Sequence, residues 1–342
     1  MYYSGEYAVL GNTCLRVSRI ALGCGFRGLY TVDEGERLIS YAIDHGINFL
    51  DCSNVYRLRG GDQAELALGK AIRGKRDSIV ISTKYGAPLT MEDGSTTSGA
   101  SAANMIRSVE DSLRRLRTDY IDVYLLHWHD TSVPLEEVVN AFNMLVRDGK
   151  IRFFGFCNHD VDAMKATSAY IRANKLQDLS VIQNPYNLIN RAMEEEYLPW
   201  TKKNNYGVMT YSPLAAGLLG GQFSFGKVPP EKSTWSYNPV YKEYLEYLMK
   251  GKVREVIDAV QTIADRHGVS SATVATAWIL ANDAVTSCLA GADSEKELDD
   301  SIAAASFNLS EEDRKYLDIL SEGMRETLTH PEVAKKLAAL KV

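Results

Sequence analysis

Eight short apolar runs, each followed by a stretch of helical periodicity, constrain this 342-residue chain more than any other feature. The runs cover residues 18–22, 48–53, 79–84, 121–127, 151–157, 179–183, 207–211 and 285–290. Helical stretches alternate with them at 33–45, 63–73, 102–116, 135–148, 161–173, 194–204, 253–267, 271–281 and 295–304. In the third, Met105, Ile106, Val109, Leu113 and Leu116 recur along one helical face. Alternating units of this kind imply a parallel sheet with right-handed crossovers. Eight of them favour closure into a (β/α)8 TIM barrel of the α/β class. The expected plan is one domain over residues 1–342: a β-hairpin at 7–17, a barrel over about 18–305 and extra C-terminal helices at 310–342. Asp33 is the expected cap of the first helix, and residues 215–250 read as a long Gly/Pro/aromatic-rich loop.

The rival is an open doubly wound sheet. Gly23-Cys24-Gly25-Phe26-Arg27-Gly28 has the spacing of a dinucleotide fingerprint. That motif asks for an acidic residue closing the second strand about 20 residues further on. Asp51 comes later and has a better use. The 45% hydrophobic and 24% charged content suits a globular enzyme. With net charge −6 and no Lys/Arg cluster, neither nucleic acid nor an anionic membrane is an expected partner. No apolar run reaches the length of about 18 residues that a membrane span needs. The N-terminus lacks the charged and apolar regions of a signal peptide. The five cysteines, odd in number and without a Cys-x-x-Cys pair, read as reduced thiols of a cytoplasmic protein.

In a β/α barrel the site forms at the C-terminal ends of the strands. Here those ends carry Asp51, Lys84, His127, Asn158, Gln183, Tyr211 and Ser212, with Tyr56 shortly after Asp51. A carboxylate inside an apolar run needs a partner, and Lys84 is the nearest of the right kind. A tyrosine near its reference pKa of about 10 is a poor acid–base group at neutrality. The Lys84 ammonium is expected to lower that value, with Asp51 holding Lys84 charged. Tyr56 then exchanges a proton with a carbonyl or alcohol oxygen, and His127 hydrogen-bonds the same oxygen. His127-Trp128-His129 has no evident third ligand, so no metal is expected. Hydride from a nicotinamide supplies the electrons.

The motifs then fall into a pattern. They are Phe49-Leu50-Asp51-Cys52-Ser53-Asn54-Val55-Tyr56, Ser82-Thr83-Lys84-Tyr85-Gly86 and Asp119 through Trp128. Gly149-Lys150-Ile151-Arg152, Gly155-Phe156-Cys157-Asn158, Gln183-Asn184-Pro185-Tyr186-Asn187-Leu188 and Tyr211-Ser212-Pro213-Leu214 with Gly217-Leu218-Leu219 follow. In this order they resemble the aldo-keto reductase superfamily from the hairpin to about residue 305. The resemblance implies a TIM barrel and a catalytic tetrad of Asp51, Tyr56, Lys84 and His127. It implies that Asn158 and Gln183, with Cys157, bind the nicotinamide carboxamide, and that Tyr211 stacks on its ring. Ser212, Pro213, Leu214, Gly217 and Leu219 would follow the pyrophosphate, with Gly23, Cys24, Gly291, Asp293, Glu297 and Ser301 completing the dinucleotide site. Trp128, Phe26 and Tyr85, beside Tyr56 and His127, would line the substrate side.

There are departures from the family pattern. Cys157 stands where Ser is usual, and Arg57-Leu58-Arg59 replaces the usual Gly after Tyr56. At the adenosine end Asp293 and Glu297 stand where Ser and Gln or Arg often hold a 2′-phosphate. Ser301 replaces a common Asn, and Gln222 a common Lys. A carboxylate accepts from a ribose 2′-hydroxyl but repels a phosphate, by roughly 1–4 kcal/mol at about 4 Å. NAD(H) is therefore expected over NADP(H), which favours oxidation as the working direction. Trp128, Tyr85 and Trp235 near the mouth, with Arg57 and Arg59, suit a sugar, polyol or anionic sugar derivative. The chain is expected to act as a monomer or homo-oligomer on a small carbonyl or alcohol substrate. The alternative is a cofactor-binding regulatory subunit resembling the potassium-channel β subunits of the same superfamily.

Overall fold

Strands that are apolar on both faces must be covered on both, and a closed barrel ringed by helices does this. The computed structural model describes residues 2–90, 96–226, 235, 238–326, 328, 333, 335–336 and 338–339. A hairpin of β1 (Tyr7–Val9) and β2 (Arg16–Ser18) comes first. The barrel follows as β3 (Ile20–Gly23), β4 (Phe49–Asp51), β5 (Val80–Tyr85), β8 (Ile121–Leu126), β9 (Ile151–Cys157), β10 (Val181–Pro185), β11 (Gly207–Tyr211) and β12 (Ser287–Ala290). All neighbours are parallel, and β12 closes on β3 with Cys288 opposite Ile20. A small antiparallel pair, β6 (Leu89–Thr90) and β7 (Thr96–Thr97), lies in the loop after β5. The (β/α)8 barrel with its N-terminal hairpin is thus the fold.

Successive strand side chains alternate between two cores. Ala21, Phe49, Val80, Val123, Leu125, Val181, Met209 and Leu289 fill the interior. Leu22, Leu50, Ile81, Tyr124, Leu126, Phe154, Phe156 and Ile182 point outward to the helices. Leu10, Leu15 and Val17 of the hairpin join the interior set and plug the N-terminal end. Gly11 makes that plug possible. Its backbone is left-handed (φ 56°), and a Cβ there would lie 2.1 Å from the Gly207 nitrogen.

Helix bounds agree with expectation within a few residues in most cases. The helix 102–116 is matched, although Ile106 faces solvent. The first helix, Val32–Asp44, is capped by Thr31 and not Asp33: Thr31 and Glu34 form a reciprocal capping box. The expected helix 194–204 is a 3-10 turn (Ala192–Glu194) and a shorter helix, Tyr197–Asn204. Pro199 lacks an N–H and is tolerated only in a first turn, so the helix starts just before it. The expected loop 215–250 contains a helix, Pro239–Leu248, capped by the Asn238 side chain. Asn at the cap followed by Pro at the first helical position was a readable start signal. After the helix Glu311–Leu320, much of the expected C-terminal helical region lies outside the described residues.

The plug gives a direct test. Leu10→Ala should lower unfolding free energy by about 2–5 kcal/mol, read as a fall in the urea midpoint. A loss under about 1 kcal/mol would mean that the hairpin does not share the barrel core.

Candidate active site

The alternation that sorts apolar residues into two cores also sorts the strand ends. Phe49 points inward, so Leu50 points outward and Asp51 inward. Val80 points inward, and so do Ser82 and Lys84. Val123 and Leu125 point inward, which carries His127 to the same side; the count from Val181 does this for Gln183, and that from Met209 for Tyr211. Lys84 is fully buried (0% exposed) and its Nζ lies 2.6 Å from Oδ2 of Asp51, itself 2% exposed. Nζ also donates to the Cys52 carbonyl at 2.8 Å and reaches the Tyr56 hydroxyl at 3.4 Å. The other Asp51 oxygen accepts from Ser82 Oγ (2.7 Å) and Gln183 Nε2 (2.9 Å). The partly buried Tyr56 ring lies against Gly25, where a Cβ would come within 3.5 Å. It meets His127 edge-on, with centroids 5.9 Å apart. The four expected residues therefore come together.

Their electrostatics correct one expectation. Burial pushes the Tyr56 phenol up to about 12, and the Lys84 ammonium, pulling downward, does not overcome it. Much of the ammonium's field is already spent on Asp51. Burial on its own would lower Lys84, but the Asp51 carboxylate outweighs it and the pKa lies above the ordinary lysine value. His127 is lowered to about 3, by burial first and by Lys84 second. The resting site is thus a neutral phenol, a neutral imidazole and one compensated ion pair. His127 Nδ1 lies 3.2 Å from Ser53 Oγ. When that hydroxyl donates, the ring proton sits on Nε2 and can be given to a substrate oxygen.

Two residues expected on the substrate side are elsewhere. Tyr85 is fully buried in the outer layer, stacked on Tyr124 and hydrogen-bonded to the Ala100 carbonyl. It follows inward-facing Lys84, so the pleat turns it outward. Phe26 is buried against the helix Val32–Asp44, near Gly35. Trp235, expected near the mouth, is 1% exposed and packed on Tyr241 and Phe223. Trp128 does stand at the rim, 43% exposed and stacked on His127. His129 turns to Asp160, 3.3 Å away. Arg57 and Arg59 are exposed on a short turn bridged between Arg57 and Gln63.

The residues present fit a nicotinamide dinucleotide. Two amides, Asn158 and Gln183, sit beside the tetrad, and such groups can pair with a carboxamide. Asn158, in left-handed backbone, donates to the His127 carbonyl (3.0 Å) and accepts from the Tyr211 hydroxyl (2.7 Å). Cys157 Sγ lies 3.5 Å from Gln183 Oε1, and burial raises its thiol to about 12. Beyond Tyr211, Ser212, Ala215, Ala216 and Gly217 all have positive φ. Among the described residues the main-chain N–H groups of Leu214 and Ala216 have no protein acceptor. Irregular backbone presenting free N–H groups is a means of holding oxyanions. Pro213, Leu219 and Cys24 are buried, so only their main chain could meet a ligand. At the far end Asp293 accepts from the Arg27 N–H (2.9 Å), and Glu297 accepts from the Asp293 N–H (2.8 Å). Ser301 is buried, its hydroxyl bonded to the Glu297 carbonyl of its own helix, and Gly291 is exposed.

Ser82 and Ser53 were missed by sequence reasoning. Ser82 was findable, because it precedes Lys84 by one pleat period. Ser53 lies in the turn after β4, where no period applies.

Comparison with known proteins covers nearly the whole chain. The model of the aldo/keto reductase family matches residues 20–322. A probable voltage-gated potassium channel subunit beta of Arabidopsis thaliana is 32% identical, over 87% of this chain and 90% of its own. An NADH-specific methylglyoxal reductase of Escherichia coli is 30% identical, over 92% and 98%. The solved glycerol dehydrogenase of Gluconobacter oxydans superposes with a TM-score of 0.78 at 28% identity, covering 96% of this chain and 98% of that one.

The ion pair predicts a double-mutant cycle. Lys84→Met should cost about 3–5 kcal/mol, because it leaves a buried carboxylate without its cation. Adding Asp51→Asn should restore much of that loss in urea unfolding. Additive losses would mean that the two groups are not coupled.

Proposed function

The chain belongs to the aldo/keto reductase family, and from that premise we propose that it moves hydride between a nicotinamide dinucleotide and a carbonyl/alcohol pair. One observation carries this reading: the Tyr56 hydroxyl lies 3.4 Å from an ammonium that Asp51 holds at 2.6 Å. Bound beside Asn158, Gln183 and Tyr211, the nicotinamide supplies or accepts the hydride. The protein handles the proton. His127 Nε2–H holds the substrate oxygen, and Tyr56 O–H donates to that oxygen as negative charge develops on it. Lys84 stabilises the phenolate left behind, and Asp51 keeps Lys84 charged. With its pKa near 12 Tyr56 rests as an acid, so the site is poised for reduction and not for the oxidation that NAD(H) alone would favour. Oxidation needs the phenolate, which at pH 7 is on the order of one part in 10⁵ for such a pKa.

NAD(H) is the proposed dinucleotide. Asp293 and Glu297 present carboxylates where a 2′-phosphate would need cations, and Lys296 is paired with Asp300 at 3.1 Å. The specificity in the name of the E. coli relative supports the same choice. The proposed substrate is a small oxygen-rich carbonyl compound or its alcohol, a sugar or polyol among them. Exposed Trp128 offers a flat face for the carbon skeleton, and Arg57 and Arg59 are exposed cations on the turn after Tyr56, bonded to the Gly61 carbonyl and to Tyr30. The names of the glycerol and methylglyoxal enzymes lie in this class. The Arabidopsis relative supports a second reading, a dinucleotide-binding regulatory subunit; failure to turn over any of a broad carbonyl panel would favour it.

Tyr56→Phe should lose about 10²–10⁴-fold in turnover while keeping dinucleotide affinity. In the wild type, reductive kcat/KM should show no break between pH 5 and 9, since His127 stays neutral above about 3 and Tyr56 stays protonated below about 12. The oxidative rate should climb with pH as phenolate forms. A limb near pH 6.5 that vanishes in His127→Asn would contradict the neutral imidazole.

Calorimetric dissociation constants should place NADH ahead of NADPH by about tenfold or more, the equivalent of about 1.4 kcal/mol. Asp293→Ser should narrow the gap. Tighter NADPH binding in the wild type would overturn the choice.

A further inference from the structure

The turn after β11 is held in a shape its residues do not favour. Ser212, Ala215 and Ala216 have left-handed backbone at φ 56°, 50° and 54°, and none is glycine. Such conformations persist where the surroundings over-determine them, and they cluster at ligand clamps. Here two side chains do the holding. Asn187 Nδ2 donates to the Ser212 carbonyl at 2.9 Å, and Trp235 Nε1 donates to the Ala216 carbonyl at 2.9 Å. Each pins the carbonyl of a left-handed residue. Both side chains are almost fully buried, and neither belongs to a barrel strand.

Both pins are braced by the same C-terminal stretch. Asn187 opens a tight turn in which the main chains of Asn187 and Asn190 exchange hydrogen bonds (3.1 and 3.0 Å). That turn is tied down where Glu326 N–H donates to the Ile189 carbonyl and Arg191 N–H to the Met324 carbonyl, each at 2.8 Å. The Trp235 ring meets Tyr241 edge-on at 5.3 Å, and the Tyr241 hydroxyl donates to the Leu328 carbonyl at 2.7 Å. Tyr244 on the same helix donates to the Glu326 carboxylate at 2.5 Å, and Lys336 pairs with that carboxylate. Between the pins lie Leu214 and Ala216, whose N–H groups have no acceptor among the described residues.

We propose that Asn187 and Trp235 are positioning residues for the dinucleotide, holding the Leu214 and Ala216 N–H groups toward its diphosphate, and that Met324, Glu326 and Leu328 are the brace that keeps both pins in place. This rests on the dinucleotide reading above. It adds that grip on the cofactor depends on a segment remote in sequence from every residue that touches it. The chemistry recognised is a diphosphate ester, so ADP serves as a probe with no reactive ring.

Trp235→Phe keeps the ring and removes the N–H. It should weaken both NADH and ADP about three- to tenfold by calorimetry, the value of one hydrogen bond. The NADH dissociation rate should rise to match, with substrate KM at saturating dinucleotide unmoved. Tyr241→Phe, which cuts the hydrogen bond to the Leu328 carbonyl, should act in the same direction with smaller size, and it covers the case in which Trp235→Phe fails to fold. A general loss of packing would lower the melting temperature without singling out dinucleotide and ADP. Unchanged NADH and ADP affinity in folded variants, against a wild type that binds both, overturns this inference alone. A wild type that binds neither overturns it together with the proposed function.

Discussion

The buried ion pair of Asp51 and Lys84 is the constraint on which the rest of the site depends. Two charges removed from water are costly, and they persist only where geometry and further hydrogen bonds compensate. The barrel supplies both. Ser82 and Gln183 occupy one carboxylate oxygen and Lys84 the other, while the Cys52 carbonyl takes a second ammonium proton. Three different strands, β4, β5 and β10, are thereby locked around one carboxylate. Tyr56 and His127 stand at the edge of this network and feel its field only in part, because the pair largely cancels itself. Both rest neutral chiefly because burial disfavours their charged forms, which suits one as proton donor and the other as hydrogen-bond donor.

The other half of the site is built on a different principle. The tetrad uses side chains projecting from rigid strands, whereas the turn beyond Tyr211 presents main chain. Main-chain N–H groups carry no formal charge and need no rotamer, but they must be aimed by the path of the backbone. Here that path runs through left-handed residues with two pins on their carbonyls. The carboxylates of Asp293 and Glu297 take part in local main-chain bonds and so sit in defined places at the far end. In the proposed reading, charge sets selectivity at one end of the dinucleotide track, and proton chemistry is confined to the other.

Much of this was legible in the chain. Strand length, helical period and their eightfold alternation pointed to the barrel, and polar residues closing apolar strands pointed to the tetrad. The misreadings have particular causes. The family resemblance implies Tyr85 and Phe26 on the substrate side, yet one pleat step separates inward Lys84 from outward Tyr85, and Phe26 is claimed by the helix packed behind it. The helix Pro239–Leu248 carried a start signal at Asn238-Pro239 that the surrounding Gly and aromatic residues obscured. For the Tyr56 pKa the sequence shows only the charged neighbour, Lys84. Desolvation, the larger effect, depends on how deeply the barrel buries the phenol.

By itself the sequence determined the number and order of the β/α units, which residues end the strands, and hence the chemical kit of one ammonium, one carboxylate, a phenol and an imidazole. Those properties follow from local periodicity and residue type, which any stretch of chain carries with it. Only the tertiary structure decided that Ser82 and Gln183 share Asp51, that the phenol rests protonated, and that Trp235 turns inward to hold Ala216. Each of these depends on groups far apart in the chain meeting at hydrogen-bond distance, and on water being excluded where they meet.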